Sequence, residues 1–511
     1  MKKSILKSRK LPAASPVLCA SAFCAMLAGC NVGPKYIPPA MTAPAAFKES
    51  PAQFNPAGGW TVAEPQDAAL RGKWWEIYNE PELNALEDQL NIDNQNIRQA
   101  FENFMEARAL VREARSQYFP TVSVGGSYTR SQASSNVGSA ASTATSGGQQ
   151  TQVFSIPADV SWEPDLWGKV RNTVRASQYA AQLTAADLEN ERLTEQASLA
   201  EYFFEIRGQD ALQKLLNDTV AADTKALEVV RAAYDTGVGD QISVVEAQTT
   251  LQTAQSAAIN LGIARAQYEH AIAMLIGKPA STFSIAVEPR TSVPPAIPVG
   301  VPSQLLERRP DVAAAERNMA AANAQIGVAT AAYYPALTLS ATGGMESSAI
   351  QKIFDWPSRF WSVGPSVSET VYDGGLRRAT VNQYIAAYNG DLAAYRQSVL
   401  VAFQQVEDSL AAVRILSQQI QRQQEAVDSA QSFVKLESER YNSGLDPYID
   451  VVTAQTTFLS SQQSLATLQV QQMTASVQLI AALGGGWDRS QLPTPAEVTL
   501  KPSKSENAIP H

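Results

Sequence analysis

Tyr234-Asp-Thr-Gly-Val-Gly-Asp-Gln-Ile-Ser-Val-Val-Glu-Ala-Gln248 returns further along the chain as Tyr441-Asn-Ser-Gly-Leu-Asp-Pro-Tyr-Ile-Asp-Val-Val-Thr-Ala-Gln455. The offset is 207 residues: Gly237 maps onto Gly444, Ala247-Gln248 onto Ala454-Gln455, and Ile276-Gly277 onto Leu483-Gly484. Each copy reads as a Tyr-x-x-Gly helix stop, a few turn residues and a new amphipathic helix. Gly237 and Gly444 allow the chain to turn at positive φ. The two stretches are therefore predicted to be the tips of two long helical hairpins in an internally duplicated architecture.

What flanks the tips fits hairpin arms. Proline is absent between Pro164 and Pro279, and again between Pro365 and Pro447. As unbroken helix, Gly168 to Tyr234 would span on the order of 100 Å. The apolar seams are narrow: Leu193, Ala197, Ala200 and Phe204 in one arm, and Val399, Phe403, Val406, Leu410 and Val413 in the other. Such seams amid Ala, Gln, Ser and Thr indicate coiled-coil packing with a wetted opposite face. Gly208 is a candidate break in the first arm. Return helices are expected over Ser243–Leu275 and Ile449–Leu483. An earlier helix should start at Glu80-Pro81-Glu82-Leu83, behind the packing pair Trp74-Trp75, and run to Gln117. Its counterpart spans Val312 to Ala332.

Phe119-Pro120 and Tyr334-Pro335 end those shorter helices, and period-two segments follow. Val122, Val124, Gly126 and Tyr128 alternate with hydroxyl residues, as do Leu337, Leu339 and Ala341. Phe154, Ile156, Ala158, Val160 and Trp162 alternate with Ser155, Asp159, Ser161 and Glu163, and the 207 offset places Trp361, Val363, Pro365 and Val367 on their apolar face. Such strands suit a soluble sandwich, with apolar faces together, or a membrane barrel, with apolar faces toward lipid. Aromatics near the strand ends and the small, polar loops at 131–150 and 343–357 favour the barrel. Four strands cannot close one, because about eight is the minimum. Two copies would give eight strands and a lumen filled by side chains; three would give twelve and a water-filled pore, and three is the expected number.

The chain has 511 residues, a formal charge of -9, and only two histidines, His270 and His511. All three cysteines, Cys19, Cys24 and Cys30, lie in the first 30 residues, so a disulfide framework or a Cys/His metal site lacks material. No cofactor is expected. Met1–Lys10 is basic and Leu11–Leu27 is short and apolar, as in a secretory signal. It ends in Leu27-Ala28-Gly29-Cys30, which resembles a bacterial lipobox. That resemblance implies cleavage before Cys30 and a diacylglycerol and an N-acyl chain on it, enough to anchor firmly. Loss of five basic residues then leaves -14, and an acidic body argues against nucleic acid as a partner. The Pro- and Ala-rich stretch from Val32 to about Gln66 is a tether or a wrapped extension.

Trp162-Glu-Pro-Asp-Leu-Trp-Gly-Lys-Val-Arg171, Leu305-Leu-Glu-Arg-Arg-Pro-Asp-Val312, Ile326-Gly-Val-Ala329, Trp361-Ser-Val-Gly-Pro365 and Tyr372-Asp-Gly-Gly375 carry a further likeness. In this order, with the lipobox and the tips, the chain resembles the outer membrane factor family, the TolC-like channels, in its NodT-type lipoprotein branch. The resemblance implies a mainly α fold with β. A homotrimer would join a twelve-stranded transmembrane β-barrel to a long periplasmic α-helical barrel. It also implies an outer-membrane location, a periplasmic adaptor, an inner-membrane pump of RND type and passive export of small molecules. The alternative is the outer-membrane component of a type I protein secretion system. A poreless lipid-anchored scaffold is a further reading, and nothing places a nucleophile beside a base as an enzyme would need.

Carried onto this chain, the resemblance places a periplasmic aperture at Tyr441, Ile449, Asp450 and Thr453. Asp450 would form a threefold carboxylate ring, sensitive to pH and salt. Adaptor contacts fall at Gly237, Val238, Gly444 and Leu445. Asp446-Pro447 and Thr453 depart from the family's pattern and put a specific latch ion pair in doubt. Expected boundaries are a signal at 1–29, an anchored extension at 30–75, repeats at 76–300 and 301–487, and a tail at 488–511. Strands should lie near 120–130, 152–165, 335–343 and 359–371.

Overall fold

The computed structural model of the chain describes residues 31–500 apart from 41–43, 45–46, 50–71, 133, 135–149, 291 and 298–304. Cys30, the signal segment and most of the 131–150 loop lie outside the described residues. The helices are α1 (Pro81–Asp93), α2 (Gln95–Ser116), α3 (Lys169–Asp235), α4 (Gln241–Leu275), α5 (Leu305–Arg308), α6 (Pro310–Ala331), α7 (Leu376–Asn442) and α8 (Tyr448–Ala482). The strands are β1 (Thr121–Val124), β2 (Ser127–Gln132), β3 (Gln150–Trp162), β4 (Ala336–Ser347) and β5 (Arg359–Ser368). The duplication is kept to the residue: α3 and α7 have 67 residues each, and α4 and α8 have 35 each. The chain divides into two compact units, one of residues 1–38, 107–181 and 318–391, the other of the remainder.

The first unit holds the sheet, antiparallel throughout in the order β1/β2, β3, β4, β5. β1 and β2 keep one register against β3 and act as a single strand interrupted at Gly125-Gly126. Pro157 faces that gap; it cannot donate to the ladder, but its carbonyl accepts from the Gly125 N–H at 3.0 Å. On its other side Gly344 is required, because a Cβ there would sit 2.9 Å from the Pro157 Cα. Four strands thus result among the described residues, where each outer strand pairs with a single neighbour. Register places Val122, Val124, Tyr128, Phe154, Ile156, Val160, Leu337, Leu339, Trp361, Val363 and Val367 on one face. Serine and threonine dominate the other, where the Thr342 hydroxyl donates to the Asp159 carboxylate at 2.7 Å. Much of the apolar face is open, with Trp361 80% exposed. Among the described residues no helix is long and apolar enough to cross a membrane.

Strand-to-helix joints in this unit are stapled by an acid and an arginine. Asp165 accepts from the Val170 and Arg171 N–H groups and from Arg171 Nε at 3.0 Å, so the start of α3 is capped and charge-paired together. Asp373 does the same for α7 with the Gly375 and Arg377 N–H groups and Arg377 Nε at 2.7 Å.

In the second unit Trp74, Leu83, Leu90, Leu199, Phe203, Ile206, Ile272, Leu479 and Ile480 form the core. The Trp pair is packing: Trp74 is fully buried, and its indole N–H donates to Gln196 at 3.2 Å. The expected single helix to Gln117 is instead two. Asn94 leaves helical geometry with ψ 125°, and its side-chain oxygen caps the Asn96 and Ile97 N–H groups. Nor does Gly208 break α3: a Cβ there would overlap the Val470 side chain, so the glycine admits α8 at close range. The seam of α7 (Val399, Ala402, Val406, Leu410, Val413) is as narrow as its spacing implies, although Phe403 is only half-buried. That of α3 is wider, because Leu199, Phe203 and Ile206 are also covered in the core. Arg309 pairs with Asp311 at 2.7 Å and donates to the Ala482 carbonyl at 3.0 Å, closing the C-terminus of α8. The extension is docked where described: Phe47 is buried, and the Lys48 and Glu49 N–H groups bond Glu407.

Candidate functional site at the hairpin tips

Both tips close by the same backbone pattern. Gly237 takes φ 77°; its N–H donates to the Tyr234 carbonyl at 2.9 Å, and the Val238 N–H donates to Ala233 at 3.0 Å. Gly444 takes φ 74°, with Gly444 to Tyr441 at 2.9 Å and Leu445 to Arg440 at 3.0 Å. This is the Schellman closure, which a Cβ-bearing residue at the glycine would strain. The residue after each glycine is apolar and turned outward: Val238 is 86% exposed and Leu445 71%. The first tip then starts α4 with an Asp240 cap on the Ser243 N–H at 2.7 Å, while the second starts α8 on Pro447 without a side-chain cap.

Tyr448 and Val451 of α8 are buried against Val230 of α3 and Ala247 of α4, so the two hairpins meet near their ends. The Tyr441 ring lies against Tyr448 at 5.3 Å in an edge-on arrangement. Burial first, then the Asp223 carboxylate, Tyr441 and Glu246, push the Tyr448 hydroxyl up to about 12. On the first turns of α8, Ile449 and Thr453 are exposed, and the Thr453 hydroxyl donates to the Ile449 carbonyl at 2.9 Å. Asp450 is half-buried beside Glu437 and Asp446, and carboxylate oxygens of all three lie within 4.8 Å of one another. Arg440 grips Asp446 with two nitrogens, Nη2 to Oδ1 at 2.9 Å. Its hydrogen bond holds the Asp446 carboxyl below the ordinary aspartate range, and the guanidinium is raised in turn. Three acids of this geometry could hold a cation, but Arg440 already neutralises one of them.

Thus Tyr441, Ile449, Asp450, Thr453, Gly444 and Leu445 are gathered at one tip, and Gly237 and Val238 occupy the other. Sequence reading missed Glu437, Arg440 and Tyr448. The signal for the pair was present, since Arg440 and Asp446 are opposite charges on either side of a tight closure.

A sequence model of the outer membrane efflux protein family matches residues 86–278 and 301–485. The chain is 31% identical over 470 residues to a solvent efflux pump outer membrane protein, SrpC of Pseudomonas putida, covering 91% of this chain and 97% of the relative. The chain belongs to the outer membrane efflux proteins. Its structure superposes on the outer-membrane channel OprN with a TM-score of 0.81 at 26% identity, covering 90% of this chain and all of that one. It has the same fold as the Campylobacter jejuni CmeC outer membrane channel, with a TM-score of 0.82, 20% identity and coverage of 94% and 99%. The two stretches matched by the outer membrane efflux protein model each contain one hairpin tip, so the family's unit is the repeat seen here. This outer membrane efflux protein is thus the outer-membrane component of an efflux system.

Proposed function

We propose that three copies of this chain assemble into a passive exit duct, each contributing four strands to a twelve-stranded barrel. The observation that carries this reading is the open sheet. It has one largely exposed apolar face, a hydroxyl-rich face opposite and, among the described residues, an outer strand on each side with one neighbour. Isolated in lipid, those edges would leave backbone groups unsatisfied, and closure between copies removes the cost. Small solutes arrive from an inner-membrane pump of RND type through a periplasmic adaptor, which docks on the tips around Gly237-Val238 and Gly444-Leu445. Their exposed apolar side chains support that assignment. Tyr441, Ile449, Asp450 and Thr453 line the periplasmic aperture, and no catalysis occurs. Acyl chains on Cys30 hold the extension 30–75 at the membrane, with repeats over 76–300 and 301–487 and a tail from 488. Reconstitution in planar bilayers tests the duct: discrete conductance from a cross-linkable, heat-modifiable trimer is expected. A monomer without conductance would overturn the reading.

A further inference from the structure

Ile326-Gly-Val-Ala329 and the Trp167-Gly168 step take no part in the tips. In the structure they surround the first residues after Cys30. Asn31 to Pro34 lie in a groove between the start of α3 and the middle of α6, all within the first unit. The Asn172 side-chain amide donates to the Asn31 side-chain oxygen at 2.9 Å, and the Val32 N–H donates to the Trp167 carbonyl at 3.3 Å. Asn323 donates to the Pro34 carbonyl at 3.2 Å. Asn172 and Asn323 are themselves buried, so these partners replace water that the two amides lack.

Three glycines make the fit possible. A Cβ on Gly33 would stand 2.7 Å from the Gly327 Cα, and one on Gly168 would stand 2.6 Å from the Asn31 side-chain oxygen. At Gly327 it would overlap the Asn172 amide. Gly168 also requires its φ of 84°. Gly327 is inside a helix, where alanine is the better helix former, so the helix alone gives no reason for a glycine there.

The groove sits at the rim of the sheet. Trp167 follows β3 by five residues; its indole N–H donates to the carbonyl of Pro335, which immediately precedes β4, at 2.8 Å. Its ring stacks on Tyr334 at 4.9 Å. A tryptophan–tyrosine pair at the end of apolar-faced strands suits a membrane–water interface. Cys30 is one peptide from Asn31, about 3.8 Å between Cα atoms.

We infer that Asn31–Pro34 is a clasp that fastens the acylated end of the chain to the rim of the strands. Lipid anchor and sheet then reach the bilayer as one body. The inference rests on acylation of Cys30, and its test separates the two. The full chain, with its own signal, is expressed as wild type, Gly327→Ala and Gly33→Ala, the last leaving every helix untouched. Labelled palmitate uptake, trypsin cleavage after the exposed Lys35, and yield of the heat-modifiable assembled form are measured. Palmitate uptake is expected to be unchanged, cleavage at Lys35 at least tenfold faster in both variants, and assembly severalfold lower. Equal cleavage in all three proteins overturns the clasp. Faster cleavage with undiminished assembly overturns the joint arrival of anchor and sheet. Absence of label from the wild type would remove the acylation reading, while cleavage at Lys35 still decides whether the clasp exists.

Discussion

The two hairpin tips share a backbone and differ in chemistry. Glu437, Arg440, Asp446 and Asp450 of the second tip correspond, 207 residues earlier, to Val230, Ala233, Gly239 and Ser243. Four charges at one tip stand where the other has none. The closure survives unchanged, because it depends on main-chain hydrogen bonds and a glycine rather than on side chains. What the difference teaches is that duplication preserved a scaffold and released the positions around it. One tip is fastened by a capping aspartate, Asp240, and displays Val238 and Ile242. The other is fastened by an ion pair and by a buried tyrosine.

The largest effect should come from Tyr448→Ala. Removing a buried aromatic costs about 3 kcal/mol, felt as faster amide exchange at the ends of α7 and α8. An apolar truncation at the other tip, Ile242→Ala one residue past the Gln241 that stands where Tyr448 does, alters a side chain that is already 71% exposed and should leave exchange nearly as it was. Comparable losses would erase the contrast. Next come Gly237→Ala and Gly444→Ala. A Cβ meets nothing within 4 Å at either glycine, so only positive φ opposes it, and each should cost about 1 kcal/mol. Equality of the two, read from exchange at Val238 and Leu445, would sharpen the claim that the closure is common. Asp240→Ala should cost about 1 kcal/mol through its lost cap on Ser243, and only at the first tip.

Smallest is the effect of charge. Arg440→Ala should weaken the second tip at low salt and progressively less as salt rises, with the first tip indifferent. A pH series provides the same contrast. The Asp446 carboxyl is held below its ordinary value, so its contribution is complete above about pH 3.9. It is lost as pH falls through that depressed value. Exchange at Leu445 should therefore be steady from pH 8 to 5, after allowance for intrinsic rates, and rise below pH 4. Asp446→Asn should abolish that rise.

Much of this was legible. The Tyr-x-x-Gly stops, the absence of proline over some hundred residues and the 207-residue echo specify helical hairpins from local chemistry alone. Strand alternation was equally readable, because every second side chain must face one way whatever lies opposite. The misses share a physical cause: they depend on partners remote in sequence. Gly208 resembles a break until Val470 fills the space it leaves. Asn94 looks like any helix residue until its amide meets the Leu275 carbonyl at 2.9 Å and the Glu195 carboxylate at 3.3 Å. Tyr448 could be paired with Tyr441 by spacing, but its burial is due to Val230 and Ala247 of the other copy.

The matched lengths of the long helices limit how such a chain can change. A single residue inserted into α3 would turn every later side chain by about 100° around the helix axis, carrying Val230 away from Tyr448. Growth is cheap only in loops. The 22-residue helices α2 and α6 begin 215 residues apart, whereas α3 and α7 begin 207 apart. Eight extra residues of the first copy thus lie between α2 and α3, on the strand side, where lengthening alters no helical phase.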